Sequence, residues 1–248
     1  MSRNHAPAWM TEAAADLSPE TVGPPRIITI DGPPSSGKTT ISNLVAERFG
    51  YQSITTGMLF CAAGYVINNA AIDIRDPSQV TDAVLGSRID FALNSSELPS
   101  VSVDGKDISD HVFSPDNKRT APIASGISQI TAAFDIKLRK LGADSGMAVF
   151  DRGSRVFPDA DLKVWLTANP RIRAVRRCAQ LALAGTYIPI DKIMAQHNLR
   201  ELQDAKSDTY YYRPDPDAKV IDTTHLTIEQ TLAQIATYIT HDPLSSQA

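Results

Sequence analysis

Residues 32–39 read Gly32-Pro33-Pro34-Ser35-Ser36-Gly37-Lys38-Thr39 and match the phosphate-loop pattern G-x-x-x-x-G-K-[ST]. The run before it, 26–31, is apolar and β-branched, which predicts a short buried strand of a parallel sheet. The run after it, 40–49, has apolar residues at 41, 44, 45 and 49 and is followed by Gly50, which predicts a helix that ends there. A strand, a glycine loop and a helix in this order are the context that the pattern requires.

The residue types in this loop suit a nucleoside triphosphate. Gly32 and Gly37 allow backbone N–H groups to turn inward and contact phosphate oxygens at the positive end of a helix. Lys38 can reach the β- and γ-phosphates, and the Thr39 hydroxyl can ligate Mg²⁺. Because the chain has no Asn-Lys-x-Asp segment to recognise guanine, we expect ATP as the phosphate donor and Mg²⁺ as the cofactor. The predicted donor-binding residues are Gly32, Pro33, Pro34, Ser35, Ser36, Gly37, Lys38, Thr39 and Thr40.

Composition argues against several other classes of protein. The 248 residues are 42% hydrophobic and 21% charged, which is ordinary for a globular protein, and the net charge of −4 argues against a general nucleic-acid binder. No apolar run reaches the length of a membrane span, so no membrane partner is expected. The two cysteines, Cys61 and Cys178, form no C-x-x-C pair. We therefore expect a cytoplasmic protein without a disulfide framework. The phosphate loop separately predicts small-molecule substrates, and we expect a monomer.

The sequence also lacks the residue patterns of two classes of hydrolase. Its five histidines, at 5, 111, 197, 225 and 241, are scattered, and we expect them to face solvent rather than to share a metal ion. The Gly-x-Ser-x-Gly segment of a serine hydrolase is absent. Neither a metal hydrolase nor a serine hydrolase is therefore expected.

Strands and helices are predicted to alternate along most of the chain, which gives an α/β fold with a doubly wound parallel sheet. Further strands are predicted at 51–54, 147–151, 162–167 and 218–222, and helices at 55–67, 119–141 with a break near Gly126, 170–185, 191–206 and 227–240. Prolines and the hairpin signal Asp104-Gly105 interrupt the alternation, which predicts an inserted subdomain at 71–118. The expected core is then 26–70 and 119–240, between a mobile extension at 1–25 and a tail at 241–248.

Four segments carry a resemblance to a known family. They are Ile30-Asp31-Gly32-Pro33, Thr56-Gly57, the run Val-Phe-Pro-Asp-Ala-Asp-Leu-Lys at 156–163 and the run Asp-Ala-Lys-Val-Ile-Asp-Thr-Thr at 217–224. From about 26 to 240 the chain resembles the bacterial cytidylate kinases, which transfer the γ-phosphate of ATP to CMP or dCMP. The resemblance implies a three-layer P-loop core, a monophosphate-binding subdomain at 71–118 and a small lid at about 178–205.

The resemblance also implies roles for particular residues. The group Arg171, Arg173, Arg176 and Arg177 resembles arginines at the entry of the lid that contact ATP and the transferred phosphate, and guanidinium groups match phosphate oxygens well. The implied catalytic residues are Lys38, Arg173, Arg176 and Arg177. The implied acceptor-binding residues are Thr56, Ser128, Asp151, Arg152, Arg200 and Asp204.

Two of these acceptor-binding residues have a second interpretation. Asp151 resembles the residue that recognises the cytosine edge, and the alternative is a place beside Mg²⁺ or in a helix cap. Asp204 resembles the residue that holds the ribose hydroxyls, and the alternative is a surface salt bridge. Both interpretations stay open at the level of sequence.

The acceptor side departs from the family's pattern at three arginines that would bind phosphate. Phe60 and Cys61 stand where the family has Tyr-Arg. Phe150 and Ser207 stand where two further arginines are expected. The candidates to replace the missing charges are Arg152, Arg155 and Lys206. A charge-assisted hydrogen bond contributes about 1.5–3 kcal/mol, so an uncompensated loss of three would weaken CMP binding by orders of magnitude.

These departures leave two alternatives beside a CMP or dCMP kinase. One is a P-loop kinase of a modified nucleotide or of another small molecule that lacks a phosphate. The other is a nucleotide-binding regulatory protein without turnover, against which the intact Lys38, Thr39 and arginine group argue.

Overall fold

The computed structural model describes residues 25–92, 100–145, 148–206 and 213–240. The strands are β1 (Ile27–Asp31), β2 (Gln52–Thr55), β3 (Ile89–Ala92), β4 (Ser100–Val103), β5 (Lys106–Asp107), β6 (Ala148–Asp151), β7 (Leu162–Thr167) and β8 (Lys219–Asp222). The helices are α1 (Lys38–Phe49), α2 (Gly57–Asn69), α3 (Pro77–Gly86), α4 (Pro115–Ser125), α5 (Ser128–Ser145), α6 (Pro170–Leu183), α7 (Ile190–Lys206) and α8 (Ile228–Thr240).

Five parallel strands form the central sheet in the order β2-β6-β1-β7-β8, which confirms the predicted parallel α/β architecture. β1 lies in the middle of the sheet, and Ile30 of β1 pairs with Asp151 of β6. Thr55 of β2 pairs with the same aspartate from the other side. The carboxyl ends of three neighbouring strands therefore meet at one edge of the sheet. Ligands of open parallel sheets bind at this edge.

Helices cover both faces of this sheet, because the strands are apolar on both sides. Ile28 and Ile30 of β1 pack with Val45 of α1 and Ile235 of α8 in one buried cluster. Phe150 of β6 belongs to a second cluster that is built with α2, α4 and α5. This two-sided burial is what near-continuous hydrophobic strands of a parallel sheet require.

The helix boundaries follow the local chemistry that predicts them. The N–H of Gln230 donates to Thr227 Oγ1 at 3.1 Å, and the N–H of Thr227 donates to Gln230 Oε1 at 2.9 Å, so the capping box that opens α8 is present. The break near Gly126 separates α4 from α5 as predicted. The start of the first of these helices was predicted wrongly at 119, because Ser114 caps α4 and Pro115 occupies its first position.

A second, antiparallel sheet of β3, β4 and β5 lies within the segment 71–118. Asp104 and Gly105 form its tight turn with φ angles of 51° and 81°, which confirms the predicted hairpin. α2 packs closely on α4, since a Cβ placed on Gly64 would lie 2.4 Å from the backbone oxygen of Asn117. The first turn of α4 is thereby fixed against α2.

Two of the segments that carry the family resemblance contact each other. Lys163, buried in β7, pairs with Asp217 at 3.0 Å and with Asp215 at 3.3 Å. These ion pairs tie the chain before β8 to the middle of the sheet. Within the described ranges, no helix has the length and apolar character needed to cross a bilayer.

Candidate functional site

The loop at 32–37 has a backbone that few residues other than glycine can adopt. Gly32 has a φ of 142°, and a Cβ on it would lie only 2.0 Å from the backbone oxygen of Leu166. Ser35 and Gly37 also have positive φ angles, of 60° and 104°. The loop leads directly into the N-terminus of α1, so its backbone presents N–H groups at the positive end of a helix, as an anion site requires.

Lys38 is partly buried beneath this loop. Its ammonium group donates a hydrogen bond of 2.9 Å to the backbone oxygen of Pro33. Burial lowers the pKa of Lys38 to about 8. The negative charge of Asp151 raises this pKa, and the positive charge of Arg152 lowers it further. The ammonium group has lost hydrating water, and the charge of Asp151 does not fully replace it. Such a group is well suited to bind an incoming phosphate.

We expect nucleotide binding to weaken as the pH rises above about 8, because Lys38 then loses its charge in the empty protein. A bound phosphate raises the pKa of Lys38, so binding above pH 8 takes up a proton. Affinity is then full below pH 8 and falls by up to about tenfold per pH unit above it. Calorimetric titration with ATP at pH 7 and pH 9, in two buffers of different ionisation enthalpy, measures both quantities.

A control variant with Lys38→Arg keeps its charge over this range and should show no such pH dependence. Equal affinity at both pH values in the unmodified protein, without proton uptake, would contradict the assigned role of the ammonium group.

Asp151 lies at the end of β6 beside the start of α1. Thr39 Oγ1 donates to Asp151 Oδ2 at 2.5 Å, and Thr56 Oγ1 donates to the backbone oxygen of Asp151 at 3.0 Å. Asp151 is buried, and its second oxygen, Oδ1, has no hydrogen-bond partner among the described residues. The carboxylate thus contacts the hydroxyl that is predicted to bind a metal.

Asp31 lies close to this carboxylate. Ser154 donates to Asp31 Oδ2 from its backbone N–H at 3.0 Å and from its hydroxyl at 2.6 Å. Burial raises the pKa of Asp31, and the neighbouring charge of Asp151 raises it further. The donor set of a hydroxyl and carboxylates, with one carboxylate oxygen unpartnered, fits Mg²⁺, which takes oxygen ligands from one or two carboxylates together with substrate phosphates.

One open cleft of about 1720 Å³ runs from the loop at 32–37 to α2, α4 and α7. The predicted acceptor-binding residues that line it are Thr56, Asp151, Arg152, Arg200 and Asp204. Ser128 is exposed in the first turn of α5 and is not among the lining residues, whereas Thr131 in the next turn is. Phe113 and Lys118 also line the cleft, although no sequence motif singled them out.

The predicted arginine group divides between two environments. Arg173 is 3% exposed, forms an ion pair with Glu201 of α7 and donates to the backbone oxygen of Pro34 at 3.2 Å. It therefore holds α7 against the loop and does not line the cleft. Arg176 and Arg177 do line it, and Arg176 donates to the Thr223 backbone oxygen at 2.6 Å.

The candidates for the missing acceptor-side charges also differ in their surroundings. Arg155 also lines the cleft, but its guanidinium group forms a two-fold ion pair with Asp135 of α5. Arg152 lines the cleft and has a φ of 67°, a strained conformation that is more common at functional sites. The side chain of Lys206 and the residue Ser207 lie outside the described part of the chain.

Phe150 lies in the core, whereas Asp204 lies in the cleft beside Arg200. Phe150, where an arginine was expected, is fully buried with its ring 4.2 Å from that of Phe157, so this position belongs to the core. Asp204 lies 3.9 Å from Arg200, and burial raises the pKa of Asp204 against the attraction of Arg152 and Arg200.

His197 corrects the expectation that the histidines face solvent. It is 8% exposed on α7, and its Nε2 hydrogen-bonds with Ser35 Oγ at 3.2 Å. Its Nδ1 is buried without a partner among the described residues. Burial lowers the pKa of His197, and the positive charge of Arg173 lowers it further, while Glu201 acts in the opposite direction. The sequence predicts a helix at 191–206 but not its contact with the loop, so the burial of His197 could not be predicted.

Because the pKa of His197 is lowered on folding, we expect the neutral imidazole to support stability above about pH 6.5. This contribution is lost as the pH falls through the lowered value, by about 1.4 kcal/mol for each pH unit between the two. Urea unfolding at pH 7.5 and at pH 5.5 measures the loss. A His197→Gln variant should lose less stability between these pH values, and an equal loss in both proteins would contradict the prediction.

Comparisons with known proteins agree with this geometry. The sequence profile of the family described as Cytidylate kinase matches residues 28–241. A cytidylate kinase of Burkholderia mallei (strain NCTC 10229) is 32% identical over 214 residues, which are 86% of this chain and 92% of that protein. A bifunctional pantoate ligase/cytidylate kinase of Synechococcus sp. (strain JA-2-3B'a(2-13)) is 32% identical over 219 residues, which are 86% of this chain and 40% of that longer protein.

A solved structure shows the same fold at low sequence identity. The crystal structure of an uncharacterized protein from Eubacterium ventriosum ATCC 27560 has a TM-score of 0.50 and 9% identity, over 87% of this chain and 99% of that chain. That likeness concerns the fold alone, whereas the profile match covers most of the sequence, so the chain belongs to the cytidylate kinase family.

Proposed function

We propose that this chain transfers the γ-phosphate of ATP to CMP or dCMP and so forms ADP and CDP or dCDP. The observation that carries the proposal is the single cleft that the phosphate-binding loop shares with Thr56, Arg152 and Arg200 on the acceptor side. A donor and an acceptor bound in one cleft can meet without a covalent intermediate on the protein. Membership of a kinase family supports the same reaction type.

The reaction that we propose is an in-line displacement. A phosphate oxygen of CMP attacks the γ-phosphorus of ATP, a new P–O bond forms, and the bond to the oxygen that bridges the β- and γ-phosphates breaks to leave ADP. Because the acceptor phosphate is already ionised at neutral pH, the step needs no general base. Catalysis then consists mostly of positioning and charge stabilisation.

The residues of this chain divide these tasks. The loop amides and Lys38 hold the β- and γ-phosphates, and Arg176 and Arg177 also line the cleft, where they can stabilise the transferring group. When bound, Mg²⁺ would supply charge neutralisation between the phosphates, and Thr39 and Asp151 are the residues that would hold it. In this proposal Arg173 acts indirectly, since it orients α7 and the loop.

The inserted subdomain, the lid and the free cysteines extend this proposal. We propose that residues 71–118 bind the monophosphate and that the segment around 178–205 closes over both substrates. Both cysteines are free, with Cys61 buried, which suits the reducing cytoplasm. Asp204 lines the cleft beside Arg200, so we assign it to the ribose hydroxyls in addition to its ion pair with that arginine.

A second candidate is a kinase of another acceptor, which three weakly polar or apolar side chains on the acceptor side of the cleft favour. Phe60, Cys61 and Phe113 line this side, and two of them stand where the family resemblance places a tyrosine and an arginine. An assay of ADP formation with ATP, Mg²⁺ and a panel of nucleoside monophosphates, nucleosides and sugars separates the two candidates. We expect the highest kcat/KM for CMP and dCMP, whereas preference for a nucleoside or a sugar would overturn the first proposal.

A further inference from the structure

We propose that Lys118 of α4 binds the phosphate group of the nucleotide acceptor and takes over the task of the arginine that Cys61 replaces. This inference rests on the proposed function, because it assumes that the acceptor is a nucleoside monophosphate.

The packing of α4 on α2 brings Lys118 to the acceptor side of the cleft. α4 contacts α2 at Asn117, whose backbone oxygen would lie 2.4 Å from a Cβ on Gly64. Asn117 is buried and donates from its amide to the backbone oxygens of His111 and Val112 at 3.1 and 3.2 Å, which fixes the first turn of α4. Lys118 follows this residue, Cys61 lies one helical turn before Gly64, and both side chains line the cleft.

Electrostatics agree with this placement. Burial raises the pKa of the Cys61 thiol, and the positive charges of Lys118 and Arg200 act in the opposite direction. Both cations are therefore close enough to influence the position where the family resemblance expects an arginine. The acceptor phosphate would lie between a lysine from α4 and an arginine from α7.

The position of Lys118 is poor for helix stability, which favours a role in binding. A cation in the first turn of a helix opposes the helix dipole. The next residue, Arg119, pairs with Asp116 at 3.1 Å, whereas no carboxylate of the described residues lies within 4 Å of the Lys118 ammonium. That ammonium lies 5.3 Å from the centroid of the Phe113 ring, a contact that holds it at the cleft without neutralising it.

The test compares Lys118→Gln with Arg119→Gln, a control on the same helix that is exposed and does not line the cleft. We expect Lys118→Gln to raise KM for CMP by about tenfold to a hundredfold, since a charged hydrogen bond to phosphate is lost. KM for ATP should stay unchanged, Arg119→Gln should change neither constant, and Lys118→Arg should restore most of the CMP affinity.

Equilibrium binding of CMP and of cytidine by the same proteins supplies a readout that a structural defect would not imitate. Lys118→Gln should weaken CMP binding toward that of cytidine and leave cytidine binding unchanged. An active wild-type enzyme with an unaltered KM for CMP in Lys118→Gln overturns this inference alone. A folded wild type that binds ATP but neither binds nor phosphorylates CMP overturns the proposed function and this inference together.

Discussion

Replacing Lys38 by methionine is expected to lower kcat for phosphoryl transfer by about 10³-fold, the loss typical of a preorganised group that stabilises transition-state charge. The ammonium group is held at the loop by the Pro33 backbone oxygen, where it can follow the γ-phosphate during transfer. Steady-state turnover at saturating ATP and CMP measures the loss.

The same variant should be at least as stable as the wild type. Burial lowers the pKa of Lys38 to about 8, so folding already opposes its charge at neutral pH, and an apolar side chain removes that penalty. Loss of activity together with an unchanged or higher Tm would separate a catalytic role from a structural one. A fall in activity of less than tenfold would show that Lys38 does not stabilise the transferring phosphate.

Replacing Gly32 by alanine is expected to destabilise the protein by about 3–5 kcal/mol, since backbone strain and steric overlap add. The new Cβ would lie 2.0 Å from the Leu166 backbone oxygen in β7, and the φ of 142° is unfavourable for any side chain. Because the loop cannot keep its shape, ATP binding should be lost as well. Urea unfolding followed by tryptophan fluorescence measures the stability of the variant.

Gly105→Ala is the matched control for this substitution. Gly105 also has a positive φ, of 81°, but a Cβ there would meet no atom within 4 Å. This control should cost only about 1–2 kcal/mol, the penalty of a left-handed residue. If Gly32→Ala were no more destabilising than Gly105→Ala, the close approach of the loop to β7 would not constrain the site.

Features of the fold that depend on neighbouring residues in sequence could be predicted. The reciprocal cap of Thr227 and Gln230, the Asp104-Gly105 turn and the strand–loop–helix order around Lys38 each use short-range chemistry. They therefore appear in the structure at the positions where the sequence predicts them. The predicted strand at 147–151 is seen as β6 from 148, since residue 147 lies outside the described part.

The parts of the site that could not be predicted depend on contacts between distant elements. Arg173 looks like any other member of a basic helix, and only the approach of α7 buries it against Glu201. His197 is isolated in sequence and meets Ser35 across 162 positions of the chain. Lys118 belongs to no motif, and it lies at the cleft only because α4 packs on α2.

The altered acceptor side has a consequence for recognition. Arginine binds a phosphate through two parallel N–H groups, whereas the ammonium of lysine acts as a compact point charge. A site that relies on Lys118 should therefore orient the acceptor phosphate less strictly. The arginines that we place beside it, Arg152 and Arg200, come from the turn after β6 and from α7 rather than from α2.

The most direct test follows the labelled γ-phosphate itself. Purified protein is mixed with [γ-³²P]ATP, Mg²⁺ and either CMP or cytidine, and the nucleotides are separated after a single turnover. We expect the label in CDP when CMP is present, and no transfer to cytidine. Label that remains in ATP or appears only as inorganic phosphate, with CMP and dCMP alike, would contradict the conclusion that this cleft hands a phosphate from ATP to a pyrimidine nucleotide.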